Sequence, residues 1–187
     1  MILKDLYIDR QWSLFLDRDG VINRKLENDY VKSIDEFEFT AGALQAMRIL
    51  SEIFGHIFIV TNQQGIHKGI MSVKELDMIH RYMQKKIIDG GGRITKIYHS
   101  PYLEEEKHPT RKPSTGMGEQ ALQDYPGVDF KKSLMVGDSM SDMEFGKNLE
   151  MFTVGIGEKD LVQDPAVDFA FGSLYDFAVE LVKKANQ

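Results

Sequence analysis

Three apolar runs, Leu14-Phe15-Leu16, Ile57-Phe58-Ile59-Val60 and Leu134-Met135-Val136, each stop abruptly at polar residues. Short continuous runs of this kind read as strands buried on both faces, as in a parallel sheet, rather than as half-exposed alternating strands. Parallel strands need crossovers, and the intervening stretches supply them. Leu44, Met47, Leu50 and Ile53 have helical spacing, so a helix is expected over about Thr40–Phe54, with Thr40 as N-cap and Gly55 as its stop. Ser72-Val73-Lys74-Glu75 is a capping box opening a helix to about Asp89, with Val73, Leu76, Ile79, Met83 and Ile87 on its core face and Gly90-Gly91-Gly92 at its end. Further strands are expected at Ile94–Tyr98, Met151–Val154 and Asp168–Phe171. Further helices are expected at about Thr115–Tyr125, after Asp142 to about Asn148, and at Ser173 to about Lys184. Alternation of this kind predicts an α/β fold: three layers, a parallel sheet with right-handed crossovers and helices on both faces. The 187 residues suffice for one such domain spanning 1–187.

In open α/β sheets, ligands bind just beyond the carboxyl ends of the strands. The runs end in Asp17-Arg18-Asp19-Gly20, in Thr61-Asn62-Gln63-Gln64-Gly65 and in Gly137-Asp138-Ser139-Met140-Ser141-Asp142, and Arg111-Lys112-Pro113 precedes a helix. Each alone has an ordinary reading. Asp-x-Asp-Gly and Thr-Asn are common turns, a single lysine is usually solvated, and Gly-Asp-Ser-x-x-Asp can simply cap a helix. A calcium loop would need further acids at alternate positions and a terminal Glu, and Asn23 does not fit that pattern. Together, on one rim, the four segments contain the parts of a phosphoryl-transfer site. Asp17 can attack phosphorus as a carboxylate nucleophile, and Asp19 can supply and remove protons. Asp17 and Asp138 can hold Mg²⁺ through oxygen. Thr61, Asn62 and nearby N–H groups can hold phosphoryl oxygens, and Lys112 can neutralise the transferring charge.

Composition removes several alternatives. There is no cysteine, hence no disulfide, thiolate metal site or cysteine nucleophile. The formal charge of −6 argues against nucleic acid as the main partner. No apolar run reaches the length of a membrane span, and the start, Met1-Ile2-Leu3-Lys4-Asp5, lacks the apolar core of a signal peptide. A monomer in the cytoplasm is expected. Trp12 is expected to pack at the entrance to the first strand. The polar stretch Arg24–Glu38, anchored by Tyr30, Val31 and Phe37, is expected to fold back as a loop over the sheet rim.

The chain resembles the haloacid dehalogenase superfamily of phosphatases. Asp17-Arg18-Asp19-Gly20-Val21-Ile22-Asn23 is similar to its first motif, Thr61 to its second, Lys112 to its third, and Gly137-Asp138-Ser139-x-x-Asp142 to its fourth. The resemblance implies a Rossmann-like sheet and Mg²⁺-dependent hydrolysis through an aspartyl-phosphate. It implies Asp17 as nucleophile and Asp19 as acid and base. The metal would be held by Asp17, the backbone carbonyl of Asp19 and Asp138, with Asp142 supporting. Thr61-Asn62-Gln63-Gln64-Gly65-Ile66-His67-Lys68-Gly69 and Arg111-Lys112-Pro113 with Gly116-Met117 narrow the resemblance. They point to the branch of heptose-1,7-bisphosphate 7-phosphatases and histidinol-phosphate phosphatases. Neither the gap after Asp19 nor the gap between Thr61 and Lys112 can hold a cap domain, so an open site with loop-set specificity is expected. The expected substrate is a small sugar phosphate, with the heptose bisphosphate first and histidinol phosphate as the alternative. Asn62, Gln63, Arg111 and Lys112 are the expected substrate-binding residues, Arg111 reaching a second phosphate with its planar fork.

One departure concerns zinc. Many members of that branch bind a structural zinc through three cysteines and a histidine in the loop before Arg-Lys-Pro. Here that loop, His99 to Thr110, has two histidines and no cysteine, and two ligands do not close a tetrahedral site. No structural zinc is expected. Outside this class, a phospho-receiver signalling domain also uses Asp, Mg²⁺, Thr and Lys on a parallel sheet. It would lack an acid two residues after its phosphorylated aspartate, and Asp19 argues against it.

Overall fold

The computed structural model describes residues 3–27, 29–157, 161 and 164–185; Met1 and Ile2 of the lead-in lie outside them. Six strands, β1 (Ser13–Leu16), β2 (His56–Asn62), β3 (Lys96–Ser100), β4 (Ser133–Gly137), β5 (Phe152–Ile156) and β6 (Phe169–Phe171), form one sheet in the order β3-β2-β1-β4-β5-β6. Every pairing is parallel. Five α-helices are described: α1 (Ala43–Ile53), α2 (Val73–Asp89), α3 (Gly116–Asp124), α4 (Met140–Asn148) and α5 (Leu174–Ala185).

Alternate residues of the central strands feed two cores. Leu14, Leu16, Ile57, Ile59, Leu134 and Val136 pack with α1, α2 and α5, whereas Phe15, Phe58, Val60 and Met135 pack with α3 and α4. Burial on both faces explains why these strands carry no polar alternation. Trp12 stacks on Phe152 at the amino end of the sheet, with centroids 5.9 Å apart. The strand order reverses direction at β1, which has β2 on one side and β4 on the other. That reversal is the switch point where such sheets open a crevice beyond their carboxyl ends. The registers Leu16↔Ile59 and Leu16↔Val136 bring the ends of β1, β2 and β4 level there.

Several expected local details differ. Helix α1 starts at Ala43 with Gly42 as N-cap, not Thr40. Thr40 instead donates its hydroxyl to the carbonyls of Val21 and Ile22, fastening the loop after β1. Gly42 sits at φ 76°, and a Cβ there would fall 2.8 Å from Tyr175, so glycine alone fits. The Ser72–Glu75 capping box of α2 is present, but Val73 is 57% exposed and His80 takes a place on the buried face. Strand β3 lies two residues later than its apolar pattern suggests, because Thr95 pairs with Ile57 ahead of the strand and carries His99 and Ser100 into the sheet. Among the described residues, the segment after Asn23 has no helix or strand, only bridges Asp19↔Asn23 and Asn23↔Phe39, and none of them builds a cap domain between β1 and α1. Val31 and Phe37 anchor it in the core. No helix among the described residues is long and apolar enough to cross a membrane.

Candidate active site

The site begins where β1 runs out. The Asp17 N–H still donates to the Val136 carbonyl at 2.9 Å, so its backbone is held by the sheet while its side chain clears the rim. The chain then turns tightly, with Gly20 donating to the Asn23 carbonyl at 2.7 Å. Gly20 has φ 89°, and a Cβ there would lie 2.2 Å from Asp138 Oδ2. The turn is thus both left-handed and in close contact with the acid from β4. Gly137 has the same steric role on β4, where a Cβ would fall 2.2 Å from that of Asp142.

Lys112 ties three segments together. Its buried ammonium donates to Asp17 Oδ1 at 2.8 Å, to Asp142 Oδ1 at 2.5 Å and to the Val60 carbonyl at 2.7 Å. Asn62 fixes the Lys112 backbone in both directions, accepting its N–H and donating to its carbonyl, each at 3.0 Å. Asp142 also accepts from the Ser139 N–H and hydroxyl. One Asp142 oxygen thus caps the helix while the other receives the Lys112 ammonium. Burial works against the Lys112 charge, but the carboxylates of Asp142 and Asp17 outweigh it and hold its pKa above the ordinary lysine value.

The two aspartates of the first segment have opposite surroundings. Burial, reinforced by Asp142, Asp19 and Asp138, pushes Asp17 up to about 7 despite Lys112. Asp19 is also penalised by burial. The Arg18 guanidinium and donors from Asn23 and Gln63 more than offset this and hold its pKa below the usual carboxylate value. Arg18 Nη2 lies 2.9 Å from both Asp19 oxygens, and Asn23 and Gln63 each donate to Asp19 at 2.8 Å. Gln63 Nε2 also donates to Thr61 Oγ1 at 2.8 Å, which leaves the Thr61 O–H free to donate into the cleft.

The donor set fits a hard divalent cation. Oxygens of Asp17, Asp138 and Asp142 converge within 4.8 Å of one another. This is the one cluster of three or more His, Cys, Asp or Glu side chains of that kind among the described residues. Asp138 Oδ1 is buried without a hydrogen-bond partner, and burial raises the Asp138 pKa. Three carboxylates around one buried ammonium leave excess negative charge, which suits oxygen-ligated Mg²⁺.

A cavity of about 300 Å³ opens above this floor. It is lined by Asp17, Asp19, Thr61, Asn62, Lys112 and Asp138 below, and by Lys25, Asp29, Tyr30, Gln64 and Arg111 at its sides. Arg111 donates to the Tyr102 carbonyl at 3.1 Å. Gln63, expected to bind substrate, does not line the cavity. It is 1% exposed and braces Asp19 and Thr61 from behind. Lys25 was missed. Its ammonium reaches Asp138 Oδ2 at 2.8 Å from the polar loop, and nothing in a solvated-looking lysine marks a contact 113 residues away. In the loop expected to lack zinc, His108 stacks on Tyr102 at 3.4 Å between centroids and bonds Thr110, whereas the His99 ring meets His80.

A switch-point sheet with these groups on its rim defines a hydrolase of the haloacid dehalogenase type. The HAD-hydrolase-like family model matches residues 109–163. The chain is 37% identical over 174 residues to the D-glycero-alpha-D-manno-heptose-1,7-bisphosphate 7-phosphatase of Mycobacterium bovis, covering 90% of each chain. It is 32% identical to the corresponding beta-named phosphatase of Escherichia coli O6:H1, covering 92% of this chain and 95% of the other. Among solved structures, the D,D-heptose 1,7-bisphosphate phosphatase from B. bronchiseptica complexed with magnesium and phosphate superposes with a TM-score of 0.84 at 28% identity, over 92% of this chain and 99% of that one. The chain belongs to the haloacid-dehalogenase-like phosphatase family that includes these heptose-bisphosphate enzymes.

Proposed function

We propose that this phosphatase removes the 7-phosphate of D-glycero-D-manno-heptose 1,7-bisphosphate through an aspartyl-phosphate on Asp17. The observation that carries the reading is the Asp17 carboxylate, fixed at the cavity floor by Lys112 with Asp19 beside it. An Asp17 oxygen attacks phosphorus as the ester P–O bond breaks, and the Asp19 carboxyl gives its proton to the departing sugar oxygen. The substrate's phosphate brings negative charge against Asp19 and so favours the protonated form that this step needs. Asp19, now a carboxylate, then takes a proton from water. The water oxygen attacks phosphorus, the bond to Asp17 breaks, and phosphate leaves. Thr61 and Asn62 hold phosphoryl oxygens, and Lys112 balances the charge on Asp17 throughout. Asp17, the Asp19 carbonyl and Asp138 would hold Mg²⁺, which supplies charge stabilisation to the phosphoryl oxygens. Gln63 positions Asp19 rather than touching substrate.

Arg111 and Lys25 line the cavity and would supply the cations for a second phosphate, with Tyr30 lining the same wall. The names and identities of the relatives support a heptose substrate and favour the α anomer, since the α-named relative is the more similar of the two compared. The acidic net charge supports a small-molecule substrate over nucleic acid, and we take the enzyme to act as a cytoplasmic monomer without structural zinc. Phosphate release with Mg²⁺ should be measured on both heptose bisphosphate anomers, histidinol phosphate, other sugar phosphates and a phosphorylated oligonucleotide. A preference of about a hundredfold in kcat/KM for a heptose bisphosphate is expected, and flat activity across the panel would overturn the assignment. Stoichiometric zinc in protein exchanged into Mg²⁺ would overturn the zinc reading.

A further inference from the structure

Arg18 is the largest fully buried side chain of the described residues. A guanidinium cannot give up its charge, so burying it demands partners. On one side, Nη2 contacts both oxygens of Asp19. On the other, Nη1 lies 3.2 Å from Nε2 of His80, and Nε has no partner. His80 projects from the middle of α2 on the face that carries Leu76, Ile79 and Met83, a position where an apolar residue would ordinarily sit. The guanidinium only donates, so His80 Nε2 must accept and the ring must be neutral with its proton on Nδ1. Burial and the adjacent Arg18 charge favour that form, pushing the His80 pKa down to about 3.

We infer that His80 is a positioning residue for Asp19, acting through Arg18. It reaches neither substrate nor the acid. It holds the guanidinium that meets both Asp19 oxygens, and so sets the direction from which Asp19 delivers its proton. Without an acceptor at this point, Nη1 joins Nε in lacking a partner and the guanidinium has reason to turn, taking the Asp19 contact with it. Phosphorylation of Asp17 should then be impaired according to how much the leaving oxygen needs a proton. An alkyl phosphate needs it, whereas p-nitrophenyl phosphate leaves well without it. This inference rests on the reading of Asp19 as the acid.

The test compares kcat/KM, which reports the step that expels the leaving group, for a sugar phosphate and for p-nitrophenyl phosphate with Mg²⁺. His80→Leu should lose about tenfold or more on the sugar phosphate and less than about threefold on the aryl ester. His80→Gln, whose amide oxygen can accept from Arg18, should recover to within about threefold of the parent on both, whereas the shorter His80→Asn should not. If His80→Leu does not fold, the Gln and Asn pair carries the comparison, with thermal melts confirming that both are folded. Equal losses on the two substrates, no loss at all, or failure of folded His80→Gln to recover would overturn the role of His80. Asp19→Asn separates the two readings. If it keeps its rate on the sugar phosphate, the acid assignment itself has failed. If it is crippled while His80→Leu loses both substrates alike, only the positioning role has failed.

Discussion

The floor and the wall of the cavity are built differently. Asp17 and Asp138 stand one residue beyond the ends of β1 and β4, Thr61 is the next-to-last residue of β2, and Lys112 is clamped among them by Asp17, Asp142 and Val60. Lys25, Asp29, Tyr30 and Arg111 come from stretches outside the helices and strands and are half-buried or exposed. The floor is preorganised, with apolar strands behind it and hydrogen bonds across it, as charge stabilisation in phosphoryl transfer requires. The wall is held by single contacts such as Lys25 to Asp138 and Arg111 to the Tyr102 carbonyl. If the floor carries the chemistry and the wall the substrate choice, as proposed, the two occupy separable parts of the chain, and variants of each should fail in different ways.

Asp17→Asn should break the floor outright. An amide is no nucleophile, and turnover should fall by roughly four orders of magnitude or more with the protein still folded. Asp19→Asn should cost about 10²–10⁴-fold in kcat and leave a phosphorylated enzyme detectable by intact mass after acid quench. Residual turnover near the parent rate in either variant would remove the mechanism. Arg111→Ala tests the wall. It should raise KM for the bisphosphate about ten- to a hundredfold with kcat within a few-fold, and change a sugar monophosphate little. A collapse of kcat instead would place Arg111 with the floor.

The smallest effect concerns Mg²⁺ and pH. Metal-free Asp17 has its pKa raised to about 7, from an ordinary value of 3.8. Between those values the folded protein keeps a proton that the unfolded chain has released, so this group's contribution to stability declines as pH rises toward 7. A cation needs the ionised form, so added Mg²⁺ should raise Tm by a few degrees more at pH 8 than at pH 6. An equal rise at both pH values would show that Asp17 is not the group under the metal.

The floor was the legible part. Asp17, Asp19, Thr61 and Asp138 could be proposed because strand ends are marked by apolar runs and parallel topology gathers strand ends on one rim, and Lys112 because its basic segment precedes a helix beside that rim. The structure brings all five to one cavity. Of the wall, Arg111 could be proposed from the Arg-Lys-Pro segment, whereas the stretch carrying Lys25 was legible only as polar loop, since a Lys25 contact across 113 residues leaves no local pattern. Helix spacing placed α2 correctly but could not tell that Val73 falls beyond the sheet's cover or that His80 is buried against Arg18. Thr40 has the chemistry of a cap, yet two carbonyls of the preceding turn compete for its hydroxyl and win. Gln63 was misplaced for a related reason: sequence cannot tell which face of a turn looks into the cleft.

The Lys112 ammonium joins Asp17, 95 residues earlier, to Asp142, 30 residues later. Contacts of such span form only after long loops have closed, and non-local closure is what slows folding. No fragment lacking any of these three segments can contain the assembled centre, however well its own helices form. Hydrolysis of a chromogenic phosphate during refolding would therefore time the closing of the chain, lagging behind the return of helix and marking the moment its distant segments meet.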